Sequence, residues 1–279
     1  MLRSLTFAAA LTVAVAACSN STSHEPRAAA SSTGFFANGD VRLSYQLDLP
    51  ARSGRVPAVV FGHGSGQLDK TSCRFLAGGF QQRGFATLCF DKRGVGQSGG
   101  DYVNVGTADS ERVFADLAGD IAAGVSFLRR HPEIDGSRIG LAGASQAGWI
   151  VPLAATTARP AFMILLVGPA VSVGEEIFYS RLVEFNDAPL DEAYRRLPAF
   201  TGPRGFDPRP VLATLDVPGL WLLGAEDRSI PTPKTVAILD QLIAEGRPFA
   251  RVVLPGAGHS LRPSAIWPEI DAWLRQSTQ

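Results

Sequence analysis

Arg138-Ile139-Gly140-Leu141-Ala142-Gly143-Ala144-Ser145-Gln146-Ala147-Gly148-Trp149 decides how this chain is read. Arg138 to Ala142 is apolar and strand-like. Small residues then flank a single serine, and a segment compatible with a helix runs on to about Thr157. Such a run lifts Ser145 onto a sharp strand-to-helix turn, with its hydroxyl exposed and its neighbours out of the way. Ala147 stands where turns of this kind usually carry glycine, with Gly148 next. The backbone of the turn is strained, so its neighbours must be small, and a methyl group is the smallest addition.

Outward from this turn the chain alternates between strands and helices. Residues 34–49 hold two alternating segments joined at Asn38-Gly39-Asp40, a hairpin signal. Pro57 to Phe61 is continuously apolar, as in a strand buried on both faces. A helix is expected over 73–82 and a second buried strand over Phe85 to Phe90. A long amphipathic helix is expected over about 110–130, because Phe114, Leu117, Ile121, Val125 and Leu128 fall at spacings of three and four. Asp109 and Ser110 are its N-cap candidates. Beyond the serine turn come strands at Phe162 to Val167, Leu220 to Leu223 and Arg251 to Leu254, with helices near 233–245 and 264–275. The alternation predicts an α/β fold with a mostly parallel central sheet flanked by helices. Residues 169–216 break it with aromatic and charged residues and several prolines, among them Phe178, Tyr179, Arg181 and Phe185. This stretch lies between two core strands, so a small cap insertion over the carboxyl ends of the strands is expected.

A serine hydroxyl attacks a carbonyl only when a base takes its proton. The chain has four histidines. His259, in Pro255-Gly256-Ala257-Gly258-His259-Ser260, follows the last strand and so reaches the same rim of the sheet as Ser145. The imidazole needs a carboxylate to hold its tautomer and stabilise its cation. Asp227, in Gly224-Ala225-Glu226-Asp227-Arg228-Ser229-Ile230-Pro231, is the first candidate and Glu226 its rival. The oxyanion of the tetrahedral intermediate needs donors. The backbone N–H groups of Gln146 and Ser65 are the candidates, with Gly64 next after Ser65. His63 is then a loop histidine that shapes the turn.

These segments resemble the α/β-hydrolase family, over nearly all of residues 35–275. Ser145, Asp227 and His259 stand in that family's order. Gly62-His63-Gly64-Ser65-Gly66 is similar to its oxyanion loop, and Asp91-Lys92-Arg93-Gly94-Val95-Gly96-Gln97-Ser98 to its Asp-x-Arg-Gly-x-Gly-x-Ser turn. In that turn the glycines and Arg93 are expected to brace the active-site rim. The nearest branches are bacterial serine esterases related to dienelactone hydrolases and prolyl oligopeptidases. The resemblance implies a Ser-His-Asp hydrolase of carboxylic esters that works through an acyl-enzyme. A peptidase or thioesterase using the same triad, or a non-catalytic surface lipoprotein that retains the fold, are the competing readings.

The ends and the composition bound the rest. Arg3, the apolar stretch Leu5 to Ala17, and Val15-Ala16-Ala17-Cys18 read as a secretory signal. Its end resembles the bacterial lipobox, which makes residues 1–18 the signal and Cys18 the lipidation site. Ser19 after the cysteine, in place of Asp, favours the outer membrane by the same resemblance. Residues 19–33 are expected to form a flexible tether and residues 34–279 the catalytic domain. The expected partners are a small-molecule ester and, through the N-terminal lipid, a membrane. The formal net charge is +0, which argues against nucleic acid as a partner. The triad chemistry calls for no cofactor, and no histidine pair has metal-ligand spacing. Cys73 and Cys89 are a candidate disulfide in an oxidising compartment, the alternative being two separate thiols.

Overall fold

The computed structural model describes residues 29–277; the signal, Cys18 and residues 19–28 of the expected tether lie outside the described residues. Eight strands form one sheet: β1 (Ala30–Asn38), β2 (Val41–Leu49), β3 (Val56–Gly62), β4 (Ala86–Phe90), β5 (Ile134–Ala144), β6 (Met163–Leu166), β7 (Gly219–Gly224) and β8 (Phe249–Leu254). Their spatial order is β1-β2-β4-β3-β5-β6-β7-β8. β1 and β2 pair antiparallel, as do β2 and β4, and every pair from β4 onward is parallel. The α/β class and the mostly parallel sheet agree with the alternation in the sequence. One boundary is corrected. Ala30 to Thr33, expected in the tether, pair with Leu49 to Gln46 and belong to β1.

The main helices are α1 (Arg74–Gln82), α2 (Ser110–Arg129), α3 (Ala147–Ala158), α4 (Val173–Ser180), α5 (Leu190–Arg196), α6 (Arg209–Leu212), α7 (Thr232–Ala244) and α8 (Pro263–Ser277). The apolar runs are continuous because the sheet is covered on both sides. Along β3, Ala58 and Val60 join the core that includes the α2 and α3 side chains, while Val59 and Phe61 join the core under α1 and α8. The α2 stripe is buried as its spacing predicts. Phe114 stacks on Trp149 of α3 with ring centroids 5.4 Å apart. Neither cap candidate caps α2. Asp109 makes no side-chain cap bond. Ser110 Oγ instead accepts from the Phe206 N–H at 2.8 Å, which ties α2 to the 169–216 segment.

That segment is helical. It leaves β6 and carries α4, a π-helical turn (Arg181–Phe185), α5, a 3₁₀ turn (Leu197–Ala199) and α6 before β7. A capping box at Ser172 and Glu175 starts α4. The segment has its own apolar cluster of Tyr179, Leu182, Val183, Ala188, Ala193 and Leu197. Cys73, the residue before α1, and Cys89 of β4 are paired as a disulfide, with Cα atoms 6.2 Å apart.

Candidate active site

The site forms where β3, β5, β7 and β8 end on one rim. Ser145 follows β5 with φ +57°, a left-handed conformation that a side chain disfavours. The turn is held by its own hydrogen bonds: Ser145 N donates to Leu166 O at 2.9 Å, and Gly148 N donates to Ser145 O at 2.7 Å. The alanine at position 147 is accommodated by glycines around it. Any Cβ at Gly143 would collide with the Ala147 methyl, and Gly148 packs so closely on the exit of β6 that a Cβ there would stand 2.6 Å from Gly168 Cα. The Ala147 methyl thus fits because Gly143, across from it, carries no side chain.

Asp227 and His259 meet on the neighbouring loops. Asp227 is fully buried. Its Oδ1 accepts from the N–H groups of Ser229 at 2.8 Å and Ile230 at 2.9 Å. Its Oδ2 lies 2.9 Å from His259 Nδ1. Glu226, the rival acid, is exposed. The reason is local: the loop after β7 turns in at Asp227, where two backbone donors and an imidazole compensate the burial of the charge. Burial opposes the His259 cation, but the hydrogen bond and charge of Asp227 outweigh it. With Glu184 and Glu176, they hold His259 above the usual histidine value.

Ser145 and His259 line one cavity of about 390 Å³, together with Gly62, His63, Gly64, Leu68, Phe75, Leu76, Leu166, Val167 and Leu261. The cavity wall is largely apolar. α1 contributes Phe75 and Leu76, and the disulfide half Cys73 lies in the same wall. Of the expected oxyanion donors, Gln146 precedes α3 at the serine turn and is buried, while Ser65 is an exposed loop residue between Gly64 and Gly66. His63 Nε2 donates to Phe90 O at 2.7 Å, and burial drives its pKa down to about 4, so it is a neutral brace.

The Asp91–Ser98 turn is a hydrogen-bonded unit. Asp91 accepts from Lys70 N at 2.8 Å and Gln97 N at 2.9 Å. Arg93 pairs with Asp120 of α2 at 2.6 Å.

Three side chains near Ser145, Asp227 and His259 had no role at the site in the sequence reading. Lys92 donates to Gly64 O and Gly66 O of the loop after β3 and to Gln146 Oε1. Glu176 of α4 is electrostatically coupled to His259 and Asp227; burial and the charge of Glu184 push its carboxyl up to about 8. Tyr179, one turn further along α4, donates from its hydroxyl to Asp227 O at 2.7 Å. Residues 169–216 carry no pattern that could have tied Glu176 or Tyr179 to the acid loop.

The prolyl oligopeptidase family model matches residues 72–275, more than half of the chain. The chain belongs to the prolyl oligopeptidase family. Its fold is the α/β-hydrolase fold. Among curated relatives, the uncharacterised protein PA2218 of Pseudomonas aeruginosa is 36% identical over 117 residues, 41% of this chain and 29% of the relative. The thiohydrolase aneE of Aspergillus aculeatus is 31% identical over 137 residues, 49% of this chain and 41% of the relative. The matches thus span less than half the length of these relatives. Among solved structures, the Pyrococcus furiosus esterase Pf2001 superposes with a TM-score of 0.68 at 17% identity, covering 90% of this chain and 91% of its own. That likeness concerns the fold.

Proposed function

We propose that this member of the family is a serine esterase that cleaves carboxylic esters through an acyl-enzyme. The observation that carries the reading is the 2.9 Å contact of buried Asp227 with His259 on the rim where Ser145 holds φ +57°. Ser145 Oγ attacks the acyl carbon while His259 Nε2 takes its proton. The negative charge gathers on the former carbonyl oxygen, facing the N–H groups of Gln146 and Ser65. The intermediate collapses, the C–O bond to the alcohol breaks, and His259 returns the proton to the departing oxygen. Water then attacks the acyl-enzyme with His259 again as base, releasing the acid and free Ser145. Asp227 orients the imidazole throughout.

The apolar cavity supports an ester with an apolar acyl or alcohol arm, seated between Leu68, Phe75, Leu76 and Leu261. The 169–216 segment steadies the acid loop through the Tyr179 hydroxyl on Asp227 O, and the cavity wall itself is built from other segments. The likeness to a thiohydrolase favours thioesters as the second substrate class. A fluorophosphonate probe and a series of p-nitrophenyl esters of increasing chain length test the reading. Labelling lost in Ser145→Ala, with turnover of esters, is expected; folded wild type that resists the probe would end it.

An exported, lipid-anchored enzyme fits the lipobox-like Cys18 and the Cys73–Cys89 bridge, which belongs to oxidising compartments. Cys18→Ala should move the protein from the membrane fraction to the soluble one. Unchanged fractionation would remove the anchor.

A further inference from the structure

Lys92 is 3% exposed, and a buried ammonium is costly unless its hydrogens are all engaged. Its Nζ donates to Gly64 O at 2.9 Å, Gln146 Oε1 at 3.0 Å and Gly66 O at 3.2 Å. An ammonium has three hydrogens, so these acceptors use all of them. They come from the two segments that carry the expected oxyanion donors, the loop after β3 and the residue after Ser145. Lys92 itself is held by its backbone, whose N–H donates to Leu68 O at 3.1 Å.

The peptide geometry gives this clamp a direction. Gly64 C=O and Ser65 N–H belong to one planar trans peptide, so they point in opposite directions. Fixing Gly64 O on Lys92 therefore fixes the direction of the Ser65 N–H. A cation on the oxygen also draws density from the peptide and makes its N–H a stronger donor. The bond to Gln146 Oε1 anchors the residue that carries the other donor.

We propose that Lys92 is a positioning residue that aims and polarises the oxyanion donors of Ser65 and Gln146. The inference rests on the serine-hydrolase reading above. Lys92 does not touch the substrate, so its effect falls on the transition state, where the oxyanion exists, and not on ground-state binding.

The test compares wild type, Lys92→Met and Lys92→Arg on a short p-nitrophenyl ester, with an alkyl boronic acid as the tetrahedral analogue. In Lys92→Met, kcat should fall by about a hundredfold, the scale of losing one oxyanion donor. KM should stay within about twofold, and boronate affinity should weaken roughly in step with kcat. Lys92→Arg, which keeps the charge and the donors, should recover part of both. If Lys92→Met does not fold, Gln146→Met, which removes one acceptor of the clamp and keeps the backbone N–H, should show a smaller loss confined to kcat and boronate affinity. Folded variants with unchanged kcat and boronate affinity, or with the loss confined to KM, would overturn the proposal. Fluorophosphonate labelling of wild type, lost in Ser145→Ala, separates the two levels. Unlabelled wild type defeats the serine-hydrolase reading, whereas labelled wild type with an unaffected Lys92→Met defeats the Lys92 inference alone.

Discussion

Asp227 and Glu226 are adjacent carboxylates with opposite fates. One is buried against His259 and two backbone donors; the other faces solvent. Asp227→Asn keeps the shape but favours the wrong imidazole tautomer, so kcat should fall by about ten-thousandfold. Glu226→Gln should leave kcat unchanged; steady-state assays of both variants check the assignment. The same residues set the pH dependence. In the proposed mechanism His259 must be neutral to act as the base, and its neighbours raise its pKa above the ordinary value. The acid limb of kcat/KM should therefore lie above pH 6.5, with activity lost as pH falls through it. Glu184 contributes to that rise, so Glu184→Gln should move the limb to lower pH. A limb that stays in place would remove Glu184 from the field at the histidine.

At the scale of elements, α1 joins specificity to stability. Its first turn places Phe75 and Leu76 in the cavity wall, and the Cys73–Cys89 bridge pins that turn to β4. Phe75 is 47% exposed, a large apolar side chain left open at the cavity. Phe75→Ala should cost kcat/KM for long-chain esters and leave the shortest nearly unaffected, because each buried methylene contributes about 0.8 kcal/mol. The bridge closes a loop with a sequence separation of 16. Loop-closure entropy then puts the cost of a Cys73→Ser/Cys89→Ser variant at about 3 kcal/mol. For a domain of this size that corresponds to a melting temperature lower by roughly 6–12 °C, which calorimetry can read.

At the scale of the molecule, the sheet gathers residues far apart in sequence onto one rim, and it also packs half-buried His63 against Phe90. The pKa of His63 is about 4 in the folded protein against 6.5 for the ordinary side chain. Between these values the unfolded chain binds the proton and the folded one does not, so stability rises with pH across the window and is lost as pH falls from 6.5 toward 4. Denaturant midpoints measured from pH 7 to pH 4 should fall accordingly. His63→Gln should flatten that dependence at some cost in stability at pH 7, through the altered bond to Phe90 O.

The strand order along the chain, the α2 stripe, the hairpin at Gly39 and the serine turn were legible in the sequence, because periodicity and small-residue spacing act locally. Ser145 and His259 were legible for the same reason: each follows a recognisable strand. Asp227 was the first candidate and Glu226 its rival; folding sets Asp227 against the imidazole 32 residues away and leaves Glu226 in solvent. The start of β1 at Ala30 was hidden because four small residues gain strand structure only from pairing with β2. The roles of Lys92, Glu176 and Tyr179 were hidden for a related reason. A charge or hydroxyl acquires a role when burial forces it to find partners, and those partners lie on other elements. The sequence alone thus determined the α/β architecture and set the candidate nucleophile and the candidate base on the same rim. Tertiary structure alone decided the cavity wall and the partners of the buried cation Lys92, because burial and long-range contact have no local signature.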